Sequence, residues 1–146
     1  MTVADDIVGG RIYGVVRCGL SEKAAPPTLA ELVRQFGLGD DPASYKEIDE
    51  TAARYLIHLV LHRDMAYNAE VMPLARAVEL ADQFLAQFGP DTRNFSNGSW
   101  HLPPVVRPDA VACGPSWNPV TTATFDTGVL AIGQARSGCL WIEDED

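Results

Sequence analysis

A chain of 146 residues, 47% hydrophobic and 21% charged, has the length and composition of one globular domain with a sizeable core. Its net charge of −9 and pI near 4.6 argue against a nucleic-acid binder or a protein held on an anionic membrane, because both depend on neutralising phosphate charge. The sign suits a basic protein partner, or solubility alone.

Three widely spaced cysteines, Cys18, Cys113 and Cys139, form no Cys-x-x-Cys and no even framework, so a reducing compartment is expected. Met1–Asp6 lacks a basic region followed by an apolar run, and no stretch approaches the length of a membrane span. The expected location is the cytoplasm.

In chain order, residues 11–20 are rich in β-branched and aromatic types and predict a strand, with Gly14 as a bulge or close approach. After Pro26-Pro27, Thr28-Leu-Ala-Glu31 has the capping-box pattern and opens a short helix to about Phe36, with Gly37 as its stop. Ser44-Tyr-Lys-Glu47 repeats that pattern and predicts a longer helix over 45–64. There Ile48, Ala52, Tyr55, Leu56 and Leu59 share one face, and Ile57, Val60 and Leu61 widen it, so cover on several sides is expected. A third helix is predicted from near Pro73 to Gly89-Pro90, with Leu74, Val78, Ala81, Leu85 and Phe88 at helical spacing.

From about 91 to 119 the periodicity dissolves among Asn97-Gly98, Pro103-Pro104, Pro108, Gly114-Pro115 and Asn118-Pro119. A long irregular segment is expected, pinned down by Trp100, His101 and Trp117. Order returns with a strand over 122–132, Gly128 a possible bulge, then a turn at 133–138 and a strand over 139–142, together an antiparallel hairpin. The expected fold is α+β, a single domain over 1–146. In it two long helices and one short helix pack on a small, mainly antiparallel sheet with a C-terminal β-hairpin.

Motifs for catalysis are sparse. His58 and His62 lie one helical turn apart, so both imidazoles face one side and make a candidate metal pair, with His101, Asp64 or Glu70 to complete the set. The plainer alternative is a structural pair at the core edge. Cys113-Gly-Pro-Ser-Trp117 echoes the segment around a papain-like nucleophile, but no histidine follows His101 and the echo reads as coincidence. Cys113 or Ser116 with His101 is a further candidate nucleophile–base pair. No phosphate-binding glycine motif is present.

The acidic end, Trp141-Ile-Glu143-Asp144-Glu145-Asp146, suits docking onto a basic protein, where an aromatic anchors and charges steer. Asp126, on the partner strand, and Trp117 join it as candidate partner-binding residues. A solvated tail that protects the sheet edge is the plainer alternative. In size and acidity the chain has the look of small acidic bacterial immunity proteins, although no motif matches residue by residue.

The reading ranked first is therefore an inhibitor or immunity-type protein that neutralises a basic toxin or enzyme, without a cofactor. A metal-assisted hydrolase built on His58 and His62, using zinc or another divalent metal, is the alternative. A structural or regulatory subunit comes third, and a homo-oligomer is compatible with any of them.

Overall fold

The runs Val129–Ile132 and Cys139–Ile142 place apolar side chains at successive rather than alternate positions, a pattern a strand supports when both faces are covered. The computed structural model describes residues 2–23, 25–102, 105–106 and 112–146, with only the backbone at 105–106 and 112–113. In it β6 (Phe125–Ile132) and β7 (Ser137–Asp144) form an antiparallel hairpin at the heart of a five-stranded sheet. β1 (Val15–Leu20) pairs with β7, and β3 (Arg93–Ser96) joins β6 to β2 (Lys46–Ile48). The order is β1-β7-β6-β3-β2, antiparallel throughout. The fold is α+β, as expected.

Alternation along the hairpin sends Val129, Ala131, Leu140 and Ile142 to one face, where they pack with α1 (Val3–Gly10), α3 (Glu50–His62) and α4 (Leu74–Ala86). The broad apolar surface of α3 is explained by this position, with Leu56, Ile57, Val60 and Leu61 all fully buried. Leu130, Cys139 and Trp141 point the other way, beneath Leu32 and Val33 of α2 (Leu29–Gln35) and beneath Leu38, Tyr45 and Val120. Two cores thus share one sheet, which is why the hairpin is apolar on both sides.

The helix caps follow local chemistry. Thr28 and Glu31 form the expected capping box, and Gly37 takes the left-handed conformation (φ 74°) after α2. The same device starts α1, where Thr2 and Asp5 exchange hydrogen bonds. Residues 3–10 carried no helix expectation, although Thr2-Val-Ala-Asp5 had the signal.

Several boundaries differ from expectation. The long helix starts at Glu50, not at 45, because Lys46–Ile48 pair with β3 and Asp49 caps the helix by accepting from the Ala52 amide at 2.7 Å. Ser44 instead closes a short 3-10 turn over Pro42–Ser44. β1 begins at Val15, because Arg11 still closes α1, its amide donating to the Ile7 carbonyl, and the chain turns at Gly14 with φ 77°. Gly128 is no bulge. It pairs in register with Trp141, and a Cβ there would meet the Leu140 carbonyl and sit 2.7 Å from the Trp141 Cα. The stretch 91–119 is not wholly irregular, because it contains β3, a bridge between Gly98 and Trp117, and a small ladder of β4 (Val105–Val106) with β5 (Ala112–Cys113). Pro103-Pro104 and Pro108 lie outside the described residues. Among the described residues no helix is long and apolar enough to cross a membrane.

Candidate functional site

β7 continues past its apolar run, so Glu143 and Asp144 are strand residues paired to β1 and β6 rather than the start of a solvated tail. Asp144 is 2% exposed and its carboxylate receives the guanidinium fork of Arg11, Nη1 to Oδ1 at 2.8 Å and Nη2 to Oδ2 at 2.7 Å. The same Arg11 donates from Nε to the Val60 carbonyl at 2.7 Å, near the end of α3. The Met65 amide adds a bond to Asp144 Oδ2 at 2.9 Å. Two buried charges are thereby neutralised and every donor has an acceptor, the condition under which a buried ion pair is tolerated.

The chain passes directly over this pair at Gly14. Its φ of 77° belongs to the left-handed region, and a Cβ there would sit 2.6 Å from Arg11 Nη1 and collide with Asp144 Oδ1. Glycine at this point leaves the Tyr13 ring turned to solvent, 63% exposed. Opposite, Asp64 Oδ1 accepts from the amides of Tyr67 (2.8 Å) and Ala69 (3.1 Å) and holds a tight turn, with Asn68 at φ 55°. That turn presents Tyr67, 69% exposed. Glu145 is fixed by the Thr124 amide at 3.1 Å and by the Thr124 hydroxyl.

Between these parts lies a cleft of about 530 Å³ whose walls include Tyr13, Tyr67, Asp64 and Glu143–Glu145. Four carboxylates border it. Arg11 offsets Asp144, and Arg17 reaches Glu143 at 3.1 Å. Among the described residues no Lys or Arg pairs with Asp64 or Glu145. The cleft therefore carries uncompensated negative charge beside two exposed phenol rings. Carboxylates accept from ammonium and guanidinium groups, and aromatic faces attract cations, so the arrangement is chemically matched to a lysine or arginine side chain.

Of the seven candidate partner-binding residues, Glu143, Asp144 and Glu145 meet at this cleft. Trp141 does not, being fully buried in the core beneath α2, in edge contact with Tyr45 at 6.2 Å. An indole with no accessible surface packs the fold and offers no anchor to a partner. Asp126 is also fully buried. Its carboxylate accepts from Asn97 Nδ2 (2.9 Å), the Thr121 amide (3.2 Å) and hydroxyl (3.0 Å), the Val120 amide and Trp141 Nε1 (3.3 Å). That web ties the 118–121 segment to β6. Trp117 stacks between Trp100 and Phe125, with centroids at 5.0 and 5.5 Å. Asp146 is exposed.

The histidines do not assemble. Among the described residues no group of three His, Cys, Asp or Glu side chains could hold a metal ion. His62 donates from Nδ1 to the Met72 carbonyl at 2.7 Å, which fixes the chain after α3. His58 is half-buried, and burial holds its pKa below the ordinary value. His101 borders a separate cleft of about 360 Å³ with Ser99, Ser116, Lys46 and Trp117. Ser116 bonds to Ser99 through its backbone and not to His101, and the side chain of Cys113 lies outside the described residues.

Nothing in the local sequence marks Arg11, Tyr13 or Tyr67 for this site. Gly14, a possible close approach, and the acidic run at 143–146 are the local signals that point here. No protein-family model, no curated protein and no solved structure matches this chain.

Proposed function

We propose that this chain is a small acidic protein-binding module that receives a basic segment of another protein in the cleft between Tyr13 and Tyr67. The specific form of the proposal is an inhibitor or immunity-type protein that covers a basic toxin or enzyme. The observation that carries it is the pairing of uncompensated carboxylates, Asp64 and Glu145, with two rings that are more than half exposed. Isolated exposed aromatics are ordinary, but aromatics lining an acidic concavity supply both the anchor and the steering charge of a protein interface. The net charge of −9 extends the same field over the whole molecule. A cytoplasmic setting is part of the proposal, with Cys18 and Cys139 present as free thiols.

The test is capture by the tagged chain from its own organism at low salt, followed by an activity assay on what co-elutes. A basic protein at near-equal amount, released by salt and inhibited when rebound, is the expected result. Its retention by a Tyr67→Ala, Glu145→Gln variant at unchanged affinity would move the interface elsewhere, and a chain that captures nothing under these conditions would sink the reading.

A further inference from the structure

β1 ends the five-stranded sheet, and its outer edge is open. The Ser21 amide donates to the Ser137 carbonyl at 2.7 Å, continuing the β1–β7 register by one pair. In an antiparallel ladder, hydrogen-bonded and non-bonded pairs alternate, so Val15, Arg17 and Gly19 turn their backbone groups to β7. Val16, Cys18 and Leu20 then turn theirs outward. The Leu20 carbonyl is taken by Gln35 Nε2 at 3.0 Å, but among the described residues nothing bonds the Val16 and Cys18 amides and carbonyls or the Leu20 amide.

A second observation coincides with this edge. Five of the nine large hydrophobic side chains that stand exposed among the described residues fall between Val8 and Leu20: Val8, Ile12, Tyr13, Val15 and Leu20. They flank an open edge, where exposed apolar residues invite strand pairing unless a partner uses them. The edge is also continuous with the acidic cleft, because Tyr13, Gly14 and Val15 line the cleft at the point where β1 begins.

From these observations we infer that β1 is a docking edge, on which an extended basic segment of the partner adds a sixth strand and delivers a lysine or arginine into the cleft at Tyr13 and Tyr67. Main-chain bonds to Val16 and Cys18 supply the pairing, and the cleft supplies the choice of charge. This inference rests on the proposed function and adds the partner's conformation to it. A second copy of the chain is the less suitable occupant, since two chains of net charge −9 repel one another where a basic segment is attracted.

The probes are two short synthetic peptides, one alternating lysine and valine and one alternating glutamate and valine, titrated into the isotope-labelled full chain and followed by NMR and amide exchange. In the free protein the Val16 and Cys18 amides exchange quickly while those of Arg17 and Gly19 are protected. The lysine peptide shifts the Val16, Cys18 and Leu20 amides together with the Tyr13 and Tyr67 rings, and slows exchange at the edge several-fold. The glutamate peptide leaves them in place, and Val15→Lys weakens the lysine peptide several-fold. Protection of Val16 and Cys18 in the free protein, with a dimer by sedimentation, would assign the edge to a second copy and overturn the inference. Equal response to both peptides would overturn it as well. Shifts confined to Asp64, Tyr67 and Glu145 would remove the strand pairing and leave the acidic-cleft reading in place, whereas no response at any site would count against both.

Discussion

Arg11 and Asp144 are separated by 133 residues in sequence and bonded through both guanidinium Nη atoms, with the side chain of Arg11 wholly buried. Removing one member strands the other charge in a site built around both, and breaking such a pair costs about 3–5 kcal/mol. Asp144→Asn and Arg11→Ala are therefore each expected to lower unfolding stability by about that amount, read from urea midpoints. A double-mutant cycle should show strong non-additivity, and a loss below about 1 kcal/mol would place the pair in the class of surface salt bridges. His58 gives a second residue-scale outcome. Burial lowers its pKa in the folded state, so the unfolded chain binds its proton first as pH falls. The stabilising contribution is full above the ordinary value of 6.5 and is lost as pH drops below it toward the depressed folded value. His58→Gln should flatten the fall of Tm between about pH 7 and 5.5, above the range where carboxylates titrate; an unchanged slope would assign the acid response to other groups.

At the scale of elements, two identical local signals had opposite fates. Ser44-x-x-Glu47 and Thr28-x-x-Glu31 are both capping boxes on paper, yet only the second caps a helix. The difference is non-local: Lys46–Ile48 find a partner in β3, with Glu47 Oε1 receiving Arg93 Nη2 at 2.7 Å, and Asp49 supplies the cap instead. Periodicity of the kind that exposed α3, α4 and the hairpin depends on neighbours in sequence, and it cannot see strand pairing at a distance. The cleft was illegible for the same reason. Its walls come from residues 13–15, 64 and 67, 122–123 and 143–145, four parts of the chain that no window contains together. The acidity of 143–146 is plain in the sequence, but its division into Asp144, neutralised by a buried guanidinium, and Glu145, left without one, depends on Arg11. Gly128 shows the converse, a residue whose need is legible only from its cross-strand neighbours. Gly128→Val should disrupt the β6–β7 register, because its Cβ meets the Leu140 carbonyl and Trp141 Cα. The expected result is a large loss of folded protein, on the order of 3 kcal/mol or more from overpacking combined with register loss, measured by circular dichroism and tryptophan fluorescence.

For the molecule as a whole, a sheet with a core on each side leaves the thiols of Cys18 and Cys139 inert. Burial pushes the Cys18 thiol up to about 12, and Cys139, fully buried on the opposite face, is raised by the same cause. The thiolate is the reactive form, so in a Cys113→Ser background neither thiol should react with a disulfide reagent at neutral pH until the fold opens. The labelling rate then reports global unfolding and should track the urea curve; prompt labelling of Cys18 in the native protein would mean that β1 opens locally.

That distinction bears on the surface, because β1 is both the strand that carries Cys18 and the edge beside the acidic cleft. The net charge of −9 acts on a basic partner at a distance, through water and salt, whereas Asp64 and Glu145 act on it at contact. The two contributions separate kinetically: long-range charge sets the association rate, and desolvated contacts set dissociation. Neutralising exposed carboxylates remote from the cleft, such as Asp40 and Asp41, should slow association at low salt and leave dissociation unchanged. Tyr67→Ala should do the reverse, speeding dissociation about tenfold or more if the ring is one of the few residues that dominate an interface. Surface plasmon resonance against the captured partner at two ionic strengths measures both. Identical effects of the two variants on association alone would mean that the cleft steers the partner without gripping it.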